Sequence, residues 1–260
     1  MRLHGSDPKT VAVLHGGPGA AGEVQPLAEA LAVLGFGVLE PFQTRDTLAG
    51  QVAELRDKLK PYAPVHLIGW SWGAWLALLF AAENARAVRQ VILVGSGPFR
   101  ADDADRTRET RRSRLSAAEQ QELDQLKKQW DRPPAFARSL ALYQKMDAHT
   151  PDRPPYLDVQ YDAHIHRSVW AEVAALRTSG ALLERAARVA CPVLALHGDY
   201  DPHPADGVFE PLAARLGQFN GVLFAKCGHK PWEERYARAS FLDALTTALT
   251  TSDAVPPGQN

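Results

Sequence analysis

The chain has little of what marks a secreted, membrane-spanning or nucleic-acid-binding protein. Only two of its 260 residues, Cys191 and Cys227, are cysteines, too few for a disulfide framework and without zinc-site spacing. Its 29 basic and 30 acidic residues give a formal net charge of −1, so no long-range field favours nucleic acid or an anionic membrane as a partner. The first eight residues contain no apolar segment of a signal peptide, and no run approaches the ~20 residues that span a bilayer. We therefore expect a cytoplasmic protein.

The pattern of apolar residues indicates the class of fold. Short apolar runs with β-branched residues alternate with amphipathic segments from residue 10 to residue 98 and again after residue 181. The short runs predict buried strands and the amphipathic segments predict helices, and their alternation indicates a mostly parallel sheet with helices on both faces. We expect this α/β core at residues 1–98 and 181–260, with a first strand at residues 10–14 and a frayed tail at residues 252–260.

Residues 99–180 differ in composition from the segments on either side. Residues 100–114 are almost wholly charged or small and polar, proline pairs punctuate the rest, and no strand pattern is present. An insertion of this size between two strands usually covers a site, so we predict a helical cap, or lid. His164 and His166 could suggest a metal, but without further ligands in register we interpret them as ordinary polar positions of the cap.

A Gly-x-Ser-x-Gly pentapeptide lies at residues 69–73, between a predicted strand and a predicted helix. At such a junction the turn is so tight that the flanking positions must be glycine, and the serine is held at its apex with an exposed hydroxyl. We therefore predict that Ser71 is a nucleophile.

Two further strand ends offer what a serine nucleophile needs. Asp199 and Asp201 follow a predicted strand at residues 191–196, and His229 follows another at residues 221–225. Serine requires a base within hydrogen-bond reach, and that base requires a carboxylate to orient it. The carboxyl ends of parallel strands meet at one crevice, and the chain order Ser, Asp, His is that of α/β hydrolases. The spacing alone leaves both Asp199 and Asp201 open as the acid.

A glycine-rich loop at residues 15–19 follows the first predicted strand. We predict that backbone N–H groups of Gly17 and Trp72 bind the oxyanion formed when Ser71 attacks a carbonyl, with His15 supporting the loop. Trp70 and Trp232 are expected to line an apolar pocket for a small-molecule substrate. We expect no metal and no organic cofactor, and the sequence leaves the oligomeric state open.

Four motifs together resemble the α/β-hydrolase superfamily, in particular its proline iminopeptidase-like branch: HGGPG at 15–19, GWSWG at 69–73, HGDYDP at 197–202 and GH at 228–229. The resemblance covers nearly all of the chain outside the cap and implies an α/β-hydrolase fold with a Ser-His-Asp triad. It also implies that the acid is Asp201, three residues after Gly198, and that Asp199 braces the turn. The chain departs from the branch at residues 40–45, at Trp70 of the elbow, and before residue 10, where we expect the two leading strands of the superfamily sheet to be absent or vestigial.

We therefore expect a serine hydrolase that cleaves an ester, amide or related acyl bond through an acyl-enzyme on Ser71. The alternatives are a proline iminopeptidase-like aminopeptidase, a carbon–carbon bond hydrolase, and a non-catalytic binding protein on the same fold. An aminopeptidase would also need acidic groups for a free amino group. The candidates, each expected to be an exposed charge, are Asp102, Asp103, Glu233 and Glu234.

Overall fold

A computed structural model describes residues 1–251, and the predicted tail at residues 252–260 lies outside this range. The strands are β1 (Arg2–His4), β2 (Lys9–Leu14), β3 (Ala20–Ala21), β4 (Gly37–Glu40), β5 (Val65–Trp70), β6 (Val88–Val94), β7 (Gln160–Tyr161), β8 (Val193–Gly198) and β9 (Phe219–Phe224). The helices are α1 (Gln25–Val33), α2 (Leu48–Leu59), α3 (Trp72–Glu83), α4 (Ala101–Ser113), α5 (Ala117–Leu126), α6 (Pro133–Asp147), α7 (Ala163–Thr178), α8 (Ala181–Ala186), α9 (Asp206–Ala213) and α10 (Arg238–Thr251).

Seven strands form one sheet in the order β1-β4-β2-β5-β6-β8-β9. Every pair is parallel except β1 with β4. The α2, α3 and α8 side chains pack with one face of the sheet, and α1 and α10 pack with the other. The predicted mostly parallel sheet with helices on both faces is therefore confirmed. Strand β5 is the central strand of the sheet and is buried along its whole length. Ser71, which follows it, therefore lies at the middle of the sheet, at the carboxyl end of this strand.

Three short strands were not predicted. β1 pairs antiparallel with β4 at the sheet edge, although the sequence placed the first strand at residues 10–14. β7 pairs with β3, so the expectation that residues 99–180 contain no strand is wrong. Each of these strands has only two or three residues, too few to show an alternating pattern, and each forms because a partner strand is already in place.

Helices α4 to α7 lie between β6 and β8, in the segment predicted to form the cap. Part of this segment has an apolar cluster of its own, made by Leu115, Leu123, Leu142 and Met146. Among residues 1–251, no helix is both long enough and apolar enough to cross a membrane.

Candidate active site

Ser71 lies on a strained turn between β5 and α3. Its backbone φ is 54° and its ψ is −116°, a conformation that costs about 1–3 kcal/mol for a residue with a side chain. Glycines on both sides make the turn possible: a Cβ on Gly69 would lie 2.1 Å from the Gly73 carbonyl oxygen, and one on Gly73 would lie 2.5 Å from that of Leu14. The Ser71 N–H donates to the Val94 carbonyl at 3.0 Å, which holds the turn against the end of β6.

Asp201 and His229 form a buried pair at the ends of β8 and β9. The Nδ1 of His229 lies 2.7 Å from Asp201 Oδ2, so Nδ1 carries the hydrogen and Nε2 is left to accept a proton. Burial alone would raise the pKa of Asp201, but its interactions with His229, His203 and His197 hold that pKa well below its ordinary range. The carboxylate is therefore ionised, as an orienting group must be.

The second candidate acid, Asp199, has a different role in the structure. Its side chain accepts a hydrogen bond from the backbone N–H of Cys227 at 3.1 Å, which ties the loop after β8 to the loop after β9. The residue is exposed, whereas Asp201 is buried. Geometry thus favours Asp201 as the partner of His229.

Gly95, at the end of β6, makes room for this pair and was not singled out in the sequence. Its φ is +51°, and a Cβ there would lie 2.9 Å from His229 Nδ1 and 3.2 Å from Asp201 Oδ2. A larger residue would separate the imidazole from the carboxylate.

A cavity of about 520 Å³ lies over the ends of the strands, and both Ser71 and His229 line it. Gly17, Trp70 and Trp72 line its floor. The helices α4 to α7 and their connections supply an aromatic wall that the sequence did not identify: Trp130, Phe136, Tyr143, Tyr161, His166 and Trp170.

Trp232 was predicted to line the pocket, but it is not among the residues that line this cavity. Its ring packs edge-on against Trp70 at 5.5 Å between centroids, contacts Phe241, and is 3% exposed. The reason is the short 3-10 turn at Pro231–Glu233, which places the Trp232 side chain in the apolar layer with α10. Trp70 lies between Trp232 and His229 and donates its indole N–H to the His229 carbonyl at 2.9 Å.

The two residues predicted to supply the oxyanion donors, Gly17 and Trp72, line the same cavity as Ser71. Trp72 is the first residue of α3, so its N–H has no partner within the helix and points out of the helix N-terminus. Gly17 has a φ of +39°, which glycine adopts at little cost.

His15 supports the glycine-rich loop from below. It is fully buried, and burial lowers its pKa to about 4. The neutral ring donates from Nδ1 to the Gly16 carbonyl at 2.8 Å and accepts at Nε2 from the Gln43 N–H at 3.2 Å. Gln43, which the sequence did not single out, also accepts from the Trp72 indole N–H at 2.7 Å. One buried glutamine therefore links the two candidate oxyanion elements.

Glu233 and Glu234 are buried, which corrects the expectation that they are exposed charges. The segment after α6 covers them, since Asp152 N–H donates to the Glu233 carbonyl at 2.8 Å and Glu234 accepts from the backbone N–H groups of Gly228, His149 and Thr150. Asp103 is also buried, in ion pairs with Arg100 and Arg106, and only Asp102 is exposed as expected.

Two of the carboxylates in the cavity lie beside one ammonium group. Lys230 Nζ lies 3.2 Å from Glu23 and 4.7 Å above the Trp70 ring. Burial raises the pKa of Glu233, and the nearby charge of Lys230 partly offsets this. Among the described residues, neither Glu233 Oε1 nor Trp232 Nε1 has a partner with full hydrogen-bond geometry, although the neighbouring Trp232 indole N–H also acts to lower the pKa of Glu233.

One cluster of metal-ligand atoms occurs in the described part of the chain. Donor atoms of Asp201, His203 and His229 all lie within 4.8 Å of one another, although the Nδ1 atoms of both rings are already hydrogen-bonded to the carboxylate. Of the two cap histidines, His164 pairs with Asp46 at the surface and His166 lies in the cavity wall.

Comparisons with known proteins identify the family. The model of the alpha/beta hydrolase family matches residues 4–240, and the chain therefore belongs to the α/β-hydrolase family. No curated protein matches the sequence.

Solved structures show the same fold at low identity. A proline iminopeptidase from Mycobacterium smegmatis is 17% identical with a TM-score of 0.66, over 97% of this chain and 94% of that one. The protein VinJ is 16% identical with a TM-score of 0.69, over 96% and 94%. A monoacylglycerol lipase from Paleococcus ferrophilus is 16% identical with a TM-score of 0.61, over 96% and 98%.

Proposed function

We propose that this protein is a serine hydrolase that cleaves an ester, amide or related acyl bond of a small substrate through an acyl-enzyme on Ser71. The observation that carries the proposal is the 2.7 Å contact between Asp201 and His229 in the wall of the cavity that Ser71 also lines. Family membership supports a hydrolase, and the strained glycine-flanked turn at Ser71 is the form that a nucleophile elbow takes.

In this proposal His229 removes the Ser71 proton as the hydroxyl attacks the substrate carbonyl. Asp201 holds the imidazole in the required tautomer and stabilises the imidazolium that forms. The N–H groups of Trp72 and Gly17 stabilise the oxyanion, a contribution of about 10²–10³ in rate for one such donor. His229 then protonates the leaving group and later activates the water that hydrolyses the acyl-enzyme.

A fluorophosphonate probe tests the catalytic proposal without knowledge of the substrate. The probe should label the wild-type protein, and peptide mapping should locate the adduct on Ser71. Ser71→Ala should be unlabelled, and Asp201→Asn should react far more slowly. A correctly folded wild type that does not react would favour a non-catalytic binding protein, since the fold alone does not imply activity.

A specific observation favours an aminopeptidase as the second candidate. Glu23, Lys230 and Glu233 place two carboxylates and one ammonium in the cavity wall, and Glu233 Oε1 has no partner with full hydrogen-bond geometry among the described residues. A buried acceptor without a donor is costly, and the ammonium group of a substrate with a free amino terminus would satisfy it.

Two substrate classes separate these candidates. An aminopeptidase should turn over prolyl or alanyl arylamides faster than short-chain aryl esters, and Glu233→Gln should raise KM for the arylamides only. An esterase should prefer the esters and be indifferent to the substitution. Hydrolysis of neither class by a protein that the probe labels would favour a carbon–carbon bond hydrolase, which uses the same triad.

A further inference from the structure

A second histidine, His203, is hydrogen-bonded to the carboxylate oxygen of Asp201 that His229 does not contact. The Nδ1 of His203 lies 2.7 Å from Asp201 Oδ1, while His229 holds Oδ2 at the same distance. The His203 backbone N–H also donates to Oδ1, at 2.9 Å. The two imidazoles lie next to each other, with ring centroids 4.5 Å apart, and both line the cavity.

The buried residue His197 fixes the position of the His203 backbone. The Nε2 of His197, a buried residue of β8, donates to the His203 carbonyl at 2.8 Å and lies 3.6 Å from Asp201 Oδ2. His203 is 8% exposed, and burial lowers its pKa to about 4. The ring is therefore neutral at neutral pH and donates from Nδ1, because a carboxylate oxygen can only accept.

Other charges surround this group, and none of them replaces the His203 donor. Arg111 of α4 lowers the pKa of His203 further, but its guanidinium is committed to Asp147 of α6 through two hydrogen bonds. Other ionisable groups nearby belong to the loops after β3, β8 and β9: Glu23, Asp199, Cys227, Lys230, Glu233 and Glu234.

We propose that His203 is a positioning residue: its ring N–H holds Asp201 Oδ1, which keeps Oδ2 on His229 and divides the carboxylate charge between two imidazoles. The inference rests on the proposed function. Asp201 without the ring donor would still be held by one backbone N–H, but more of its negative charge would face His229. A stronger negative charge favours the protonated imidazolium, so the base would be lost at a higher pH.

The test compares the pH dependence of kcat/KM for an aryl ester in wild type and three variants. His203→Val removes the ring donor, and the acidic limb should move upward by roughly 0.5–1 pH unit, the size expected for one hydrogen bond. His203→Asn places an amide N–H near the former Nδ1 and should return the limb towards its wild-type position. His164→Asn, an exposed cap position outside the cavity, controls for histidine removal as such and should leave the profile unchanged. An unmoved limb in His203→Val, or an Asn variant that behaves like Val, overturns the proposal.

Proton NMR provides a readout that does not depend on activity. A ring N–H on a carboxylate gives a strongly downfield resonance, and wild type should show two, from His203 and His229. His203→Val should remove one resonance and move the other further downfield. A single resonance in wild type, or a second one unaffected by the substitution, overturns the inference. A wild type that shows neither esterase activity nor probe labelling would instead count against the proposed function.

Discussion

Replacement of Glu234 tests whether the segment after α6 and the loop that carries His229 form one structural unit. Glu234 is 1% exposed, and its carboxylate accepts from Gly228 N at 2.9 Å, His149 N at 2.7 Å and Thr150 N at 2.7 Å. His149 and Thr150 follow α6, whereas Gly228 precedes His229. A single side chain therefore joins the loop after β9 to the segment that leaves the cap.

The cost of Glu234→Ala follows from these three donors. The bond from Gly228 is buried, whereas those from His149 and Thr150 are only partly buried. A buried N–H left without an acceptor costs about 1–3 kcal/mol, and water can reach the two partly buried groups, so we expect a total of about 3 kcal/mol. For a protein of this size that corresponds to a fall in Tm of about 10 °C. Glu234→Gln keeps one oxygen for Gly228 and His149 but turns an NH₂ towards Thr150, so its cost should be about 1–2 kcal/mol.

Urea unfolding monitored by tryptophan fluorescence measures both variants. Glu122→Gln provides the control, because Glu122 also accepts short hydrogen bonds, from the Arg138 guanidinium, but lies on the exposed surface. Exposed pairs contribute at most about 1 kcal/mol, so this variant should unfold close to wild type. A Glu234→Ala variant within about 1 kcal/mol of wild type would refute the reasoning, as would an equal loss in Glu122→Gln.

Two further predictions concern the turn at Ser71 and the stability at acidic pH. Gly69→Ala should prevent folding or lower the free energy of unfolding by more than about 3 kcal/mol, because its Cβ would lie 2.1 Å from the Gly73 carbonyl oxygen. Gly217→Ala is the control: nothing lies within 4 Å of the new Cβ, so this variant should unfold at nearly the wild-type urea concentration. Burial lowers the pKa of His15 and of His203 to about 4, whereas each is about 6.5 in the unfolded chain. Between these two values the unfolded chain binds more protons than the folded one, so the free energy of unfolding should fall as the pH drops from 6.5 to 4. The fall should be up to about 1.4 kcal/mol per pH unit for each histidine. Urea midpoints at pH 8, 6 and 5 measure this effect, and a constant stability from pH 8 to pH 5 would contradict it.

The parts of the fold that sequence predicts are those whose signals are local. α2 (Leu48–Leu59) carries such signals: the Thr47 side chain caps it by accepting from the Gly50 N–H at 3.1 Å, and apolar residues recur along one face. α9 (Asp206–Ala213) carries a weaker local signal, because Pro211 lies inside it and proline disfavours a helix interior.

Burial is the property that sequence could not supply near the site. Glu233 and Glu234 are typical of an exposed turn in sequence and become buried only because the segment after α6 crosses them. The direction of the Trp232 ring depends on a 3-10 turn and on α10, both of which are tertiary consequences. His203 did offer a local signal: it lies two residues after Asp201, where a backbone N–H can return to the carboxylate, but nothing local shows that the ring would follow it.

The geometry also indicates that the proposed catalytic residues and the cavity wall should not vary independently. Ser71 and Asp201 follow strands of the core, and local sequence largely determines where they lie. The N–H of His229, however, donates to the carbonyl of Asp147 at 2.8 Å, and the Asp147 carboxylate is held by Arg111. The segment at residues 99–180, which supplies the aromatic wall, thus also positions the backbone of the candidate base. A substitution at Asp147 or Arg111 made to alter substrate choice should therefore change kcat as well as KM.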